Sequence, residues 1–332
     1  MARPRIGVAV SGGLTAPEIV DCVRRAEDLG YESAWVAEGH GGDQFAILAA
    51  CATATTRIRL GTSISSVFVR SVPTIAMAAA TVDALSGGRF VLGLGSSHRV
   101  QVEGEHGLPY AKPIARVRES VEAIRSLLRD GEVAYRGETI TIDRFDLWFT
   151  PHRRVIPIYL SALFPPMLEV CGELADGLIL TWATREAPAR AAAHVAAGAR
   201  RAGRRPEDVE ITSLLPCVIA DTRAEALERM RPAVAMYAGF FPRYNRLLAE
   251  AGFPDAARAI QAAWQSGDRS GAARAVPDAM AAAVGVVGTA AECRARIEDY
   301  RAGGLTLPII SPRARGAGAR AAFEDAIRAC AP

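Results

Sequence analysis

The chain has 332 residues, half of them hydrophobic, and 39 Lys and Arg against 36 Asp and Glu give a formal net charge of only +3. That length supports a large core, and the weak charge, with no basic stripe interleaved with aromatics, argues against a nucleic-acid partner. No apolar run approaches the ~20 residues that cross a bilayer, which argues against a membrane protein.

The six cysteines stand at 22, 51, 171, 217, 293 and 330, without close pairs or neighbouring histidines. This spacing favours scattered reduced thiols in a cytoplasmic protein over a disulfide framework or a metal site.

A strand-then-helix pattern starts at the N-terminus. Arg5 to Val10 reads as a first strand, broken by Ser11-Gly12-Gly13, and Pro17 to Leu29 as a helix closed by Gly30. Ser33 to Glu38 follows as a second strand and Asp43 to Ala54 as an alanine-rich helix. Arg57 to Ile64 is a third, β-rich strand. In the next segment Ile75, Ala79, Val82 and Leu85 recur at helical spacing, with Ser71 as cap, Pro73 in the first turn and Gly87-Gly88 as terminator. Phe90 to Ser97 is the fourth strand, and joined this way the two strands run parallel.

Pro113 to Arg129 is a helix with Val117, Val121, Ile124 and Leu128 on one face. Val133 to Asp143 breaks the pattern as a hairpin excursion after that fourth helix. Strands follow at Ile156 to Ala162, Gly177 to Thr181 and Val209 to Ala220, with helices at Pro166 to Ala175 and Ala187 to Arg201. From Thr222 to Met280 the chain is helical with interruptions at Pro232, Pro242, Pro254 and Gly267, too long for one crossover. We read a helical insertion at about 232–282, after the seventh strand. Ala290 to Arg301 is another helix, Leu305 to Ser311 the eighth strand and Gly318 to Ala329 the last helix.

Eight strands alternating with helices predict a single (β/α)8 TIM barrel over residues 1–332. An open dinucleotide-binding sheet is the competing reading, because Gly93-Leu94-Gly95 is part of a fingerprint. The full GxGxxG spacing is absent, so that reading is set aside. In a barrel the active face lies at the C-terminal strand ends. These carry Glu38 and His40, then Ser63 to Ser66, Ser96 to Glu103, Ser161-Ala162, Thr181-Trp182 and Ser311. Small hydroxyls with the Glu38 carboxylate and the His40 imidazole suit a large polar cofactor held by hydrogen bonds. They contain no metal cluster and no nucleophile–base pair.

The chain resembles the luciferase-like monooxygenase superfamily, and within it the oxidoreductases that use the deazaflavin coenzyme F420. The resemblance runs through Leu60-Gly61-Thr62-Ser63-Ile64, Ala80 to Arg89 and Gly93-Leu94-Gly95. It continues in Val102 to Tyr110, Pro157 to Ala162, Ala175-Asp176-Gly177 and Val287-Gly288-Thr289. It implies a cis peptide at Ser63–Ile64, forming a bulge against which the deazaflavin ring packs. It also implies a cofactor site made of Ser63, Ile64, Ser66, Ser96, Ser97, Gln101, Ser161, Ala162 and Thr181, with Glu38 or His40 as proton carrier. Ser97 stands where relatives often have glycine, and Thr184 where some have a phosphate-binding lysine, so an anionic tail would lean on Arg185 or Arg99.

The function expected is hydride transfer between F420 and a small-molecule substrate, in a homodimer. The alternatives are an FMNH2-dependent monooxygenase of the same fold, using FMN, and a non-catalytic flavin-binding paralogue. Met236, Tyr237, Phe240, Phe241 and Tyr244 in the insertion are expected to line either the substrate pocket or a dimer interface.

Overall fold

Eight short parallel strands pair in sequence order and close on themselves. They are β1 (Gly7–Ala9), β2 (Ser33–Val36), β3 (Arg59–Thr62), β4 (Phe90–Gly95), β5 (Ile158–Ser161), β6 (Gly177–Thr181), β7 (Glu210–Ile219) and β8 (Leu307–Pro312). The closing pair sets Gly7 beside Ile309 and Val8 beside Ile310. The result is the expected (β/α)8 barrel, seen in a computed structural model that describes residues 4–10 and 12–332. Residues 1–3 and Ser11, which interrupts the first apolar run, lie outside the described residues.

The outer helices are α1 (Ala16–Leu29), α2 (Gln44–Ala54), α3 (Val72–Leu85), α4 (Pro113–Asp130), α5 (Pro165–Leu174), α6 (Ala187–Arg201), α7 (Ala290–Ala302) and α8 (Ala319–Ala329). Their ends follow local chemistry. Thr15 and Glu18 form a capping box for α1, which ends on left-handed Gly30 at φ 92°. Ser71 caps α3 by accepting the Thr74 N–H. Among the described residues no helix is long and apolar enough to cross a membrane.

The fold positions its site through a defect in β3. Gly61 pairs with Val91, but the next paired residues are Ser65 with Leu94, in the two-residue strand Ser65–Ser66. One strand advances four residues while its partner advances three, which defines a bulge. The Ser63–Ile64 peptide within it is cis, as the resemblance implies. The Thr62 hydroxyl replaces the missing ladder bonds: it donates to the Gly93 carbonyl and accepts the Gly93 N–H, both at 2.8 Å.

The hairpin excursion pairs Glu132–Arg136 with Thr141–Asp146. Its turn is tied to α4 by Glu119, which accepts the N–H groups of Glu138, Thr139 and Ile140. The insertion differs from expectation at its start. Its first helix spans Arg223–Phe240, capped by Thr222, and continues through Pro232 instead of breaking there. Shorter helices follow at Pro242–Glu250, Pro254–Gln265, Arg269–Arg274 and Asp278–Ala283, and the strand Val286–Gly288 then pairs with β7. These helices bury a second apolar cluster that includes Met230, Val234, Leu248, Ile260 and Met280, seated on Trp182 and Val218 of the barrel.

Gly93 tests the bulge. A Cβ at this position would run into the Thr62 carbonyl, which is backbone and cannot swing aside. Gly93→Ala is expected to cost about 1–3 kcal/mol by overpacking, seen as a lower denaturation midpoint. It should also distort the wall formed by Ser63 and Ile64, whereas an unchanged midpoint would show that β3 and β4 can separate without cost.

Candidate active site

A cavity of about 830 Å³ opens at the C-terminal ends of the strands. Its floor and one wall come from the residues that length and pattern had placed on the rim. Glu38, Ser63, Ile64, Ser96, Ser97, Gln101, Ser161, Ala162 and Thr181 all line it. The Ser63 hydroxyl is buried there with no hydrogen-bond partner among the described residues. Gly95 lies behind Ile64, where a Cβ would sit 2.9 Å from Ile64 Cγ1, so glycine lets the bulge press close to β4. Ser97 takes a left-handed conformation at φ 53°, a turn type in which successive N–H groups converge.

Two expected residues stand elsewhere. Ser66 is buried behind the wall; its N–H donates to Glu38 Oε2 at 2.8 Å and its hydroxyl accepts from the Phe68 N–H. It holds Glu38 and does not face the cavity. His40 lies outside the cavity with its side chain 80% exposed, 3.2 Å from the Glu105 carboxylate across the rim. The flexible run Gly39-His40-Gly41-Gly42 sends it outward, so this geometry offers no support for His40 as proton carrier. Glu38 reaches the cavity, but its other oxygen is held by Arg70 Nε at 2.5 Å, and Arg70 also binds Asp43. A carboxylate fixed in this way is an acceptor committed to a cation.

The opposite wall belongs to the insertion. Tyr237, Phe241 and Tyr244 line the cavity, while Phe240 and Met236 pack within the second core, so the aromatic cluster faces the pocket. The Tyr244 phenol is pushed up by burial and by its neighbour Tyr237. Against this wall stands His98, with ring centroids 4.5 Å from Phe241 and 5.1 Å from Tyr244. Burial, reinforced by the charge of Arg243, pushes the His98 imidazole down to about 4. It is neutral at pH 7 and is the one imidazole on the cavity among the described residues.

His98, the N-cap residue of the short helix Arg99–Gly104, falls within the Ser96 to Glu103 stretch of the rim but is not singled out there by sequence. The signal for it is a histidine three residues beyond the end of β4 at Gly95. The arginines also differ from expectation. Arg99 is paired with Glu103, and neither it nor Arg185 lines the cavity; Arg243, Arg246 and Arg313 do.

His98 makes stability depend on pH. Its folded-state value lies below the ordinary 6.5, so the unfolded chain binds more protons than the folded one between about pH 6.5 and 4. Its contribution is present above pH 6.5 and is lost as the pH falls through that window. The loss is at most about 3 kcal/mol. His98→Gln should flatten the slope of unfolding free energy against pH in denaturant titrations, and an identical slope would place the imidazole in water.

The site can be set beside known proteins. The sequence profile described as luciferase-like monooxygenase matches residues 1–307. A Mycobacterium tuberculosis protein named as a coenzyme F420-dependent oxidoreductase is 30% identical over 314 residues, covering 88% of this chain and 89% of that protein. The 5,10-methylenetetrahydromethanopterin reductase of Methanolobus tindarius is 29% identical, covering 87% and 88%. In structure, the coenzyme F420-dependent tetrahydromethanopterin reductase of Methanopyrus kandleri superposes with a TM-score of 0.86 at 23% identity, covering 99% and 98%. With the profile spanning nearly the whole barrel, and the bulge and rim in place, the chain belongs to the luciferase-like monooxygenase family of oxidoreductases.

Proposed function

We propose that this chain is a coenzyme F420-dependent oxidoreductase that moves a hydride between the deazaflavin and a small organic substrate. The observation that carries the reading is the bulge after β3. It turns Ser63 and Ile64 toward a cavity whose far wall is aromatic, a shape that suits a planar ring on one side and substrate on the other. Two relatives named for F420 or for methanopterin reduction, each covering most of the chain, favour F420 over FMN.

The residues fit such a group. The unpartnered Ser63 hydroxyl offers a donor and acceptor to a ring edge, and Ile64 backed by Gly95 gives a flat apolar seat. The N–H groups from Ser96 to Val100, turned by left-handed Ser97, suit the phosphate of the cofactor's tail. When bound, F420 supplies the ring carbon that takes or gives the hydride. The chain's own share is to align donor and acceptor and to handle a proton. Neutral His98, on the cavity wall, accepts the hydroxyl proton when an alcohol is oxidised; when a double bond is reduced it relays a proton that it first takes from solvent. Glu38, bound to Arg70 and to the Ser66 N–H, fixes the bulge beside β2.

Calorimetric titration is expected to give micromolar or tighter F420 binding, about −8 kcal/mol. Tight FMN binding, no F420 binding and oxygen consumption with reduced FMN would instead make it a monooxygenase.

His98→Ala should lower turnover by about 10²-fold or more, with F420 affinity within about twofold of the parent. Turnover is read from deazaflavin absorbance with panels of alcohols and conjugated carbonyl compounds. Unchanged turnover would hand the proton to water or to Glu38.

A further inference from the structure

The cavity's charge is unbalanced. Its lining holds one carboxylate among the described residues, Glu38, which Arg70 already neutralises, and three arginines. Arg246 is held by Glu250 at 2.7 Å. Arg313 has no ion pair and no side-chain hydrogen bond among the described residues, although its Nε is buried. Its guanidinium carbon lies 5.4 Å from the ring centroids of both Trp182 and Tyr237. The Trp182 Nε1–H beside it is also buried and unpartnered. Arg243 likewise has no ion pair or side-chain hydrogen bond among the described residues, but its guanidinium carbon lies 5.9 Å from a single ring, Tyr110. Two rings can hold a guanidinium in place through its faces, but they leave its N–H edge unsatisfied, and a buried donor calls for an acceptor.

The position tells which acceptor. Arg313 follows β8. In a closed ring of eight strands β8 stands diametrically opposite β4, whose loop Ser96 to Gln101 is the proposed seat of the cofactor phosphate. The tail and Arg313 are therefore on opposite sides of the mouth, with Tyr237 and Phe241 on the wall between them. An arginine fork in a half-buried, apolar surround binds a carboxylate through two parallel charge-assisted hydrogen bonds.

We propose that Arg313 holds the carboxylate of the substrate, so that the protein acts on small organic acids whose apolar or aromatic body packs against Tyr237 and Phe241. The assignment to substrate rests on the F420 reading above. The anion site itself does not.

The test uses benzoate and its neutral counterpart benzyl alcohol as probes, titrated calorimetrically into the protein with and without F420. The parent protein should bind benzoate at least about tenfold more tightly than benzyl alcohol. R313Q should abolish that preference, R313K should keep part of it, and F420 affinity should stay within about twofold in both. Equal binding of the two probes by the parent protein, which needs no variant to fold, would overturn the site. A tenfold loss of F420 affinity in R313Q, with affinity for the tail-less deazaflavin chromophore unchanged, would also overturn it, by giving Arg313 to the cofactor's tail. Benzoate preference that depends on Arg313 in a protein that binds no F420 would uphold the anion site and remove the F420 reading alone.

Discussion

The site depends on a side chain standing in for backbone. Where β3 gains a residue over β4, the ladder between them fails, and the Thr62 hydroxyl bridges the gap by bonding both the N–H and the carbonyl of Gly93. A buried pair of unsatisfied backbone groups would cost free energy at that point, and a non-glycine residue at 93 would collide with the Thr62 carbonyl. With the bridge in place the strands stay closed below the bulge, while Ser63 and Ile64 are free to face the mouth. Trp35 fixes the other side: its ring fills the space a Cβ at Gly61 would need, and its Nε1–H donates to the Ser33 hydroxyl.

Around this bridge, charge is distributed unevenly. The N-terminal face of the barrel is a lattice of paired ions, with Arg5 shared between Glu32 and Glu210, Arg59 bound to Glu32 and Tyr159 donating to Glu210. The cavity at the other end holds its one carboxylate among the described residues in an ion pair and leaves cations and a neutral imidazole beside aromatic rings. One end of the barrel serves stability and the other binding, a division that follows from where strand ends present free backbone and loops.

Most of the barrel was legible because its signals are local. The helix from Ala187 to Arg201 and the strand from Gly177 to Thr181 emerge with the boundaries that periodicity and turn residues indicate. Thr62, Ser63 and Ile64 were legible through resemblance, and Ser96, Ser97 and Gln101 through their place after a strand. The failures were long-range. Nothing adjacent to His40 reveals Glu105, which draws it outward; nothing near Glu38 in sequence reveals Arg70. His98 and Arg313 acquire meaning only when Tyr237, Phe241 and Tyr244 arrive from more than a hundred residues along the chain in one case and from another element in the other. Pro232 was read as a break, yet the helix tolerates it because its flanks, Met230 and Val234, are fully buried.

The insertion leaves and rejoins the barrel at a single point. Ile219 ends β7 and Gly288 ends the returning strand, and the two are register partners, with the Ala220 N–H bonded to the Gly288 carbonyl. An excursion whose two ends are already stitched together imposes no length on what lies between, since closing a longer loop costs only slightly more entropy. The wall of Tyr237, Phe241 and Tyr244 is thus a cassette. Descendants of this chain can trade it for another without re-registering a strand, and selectivity can drift while the bulge beneath keeps its shape.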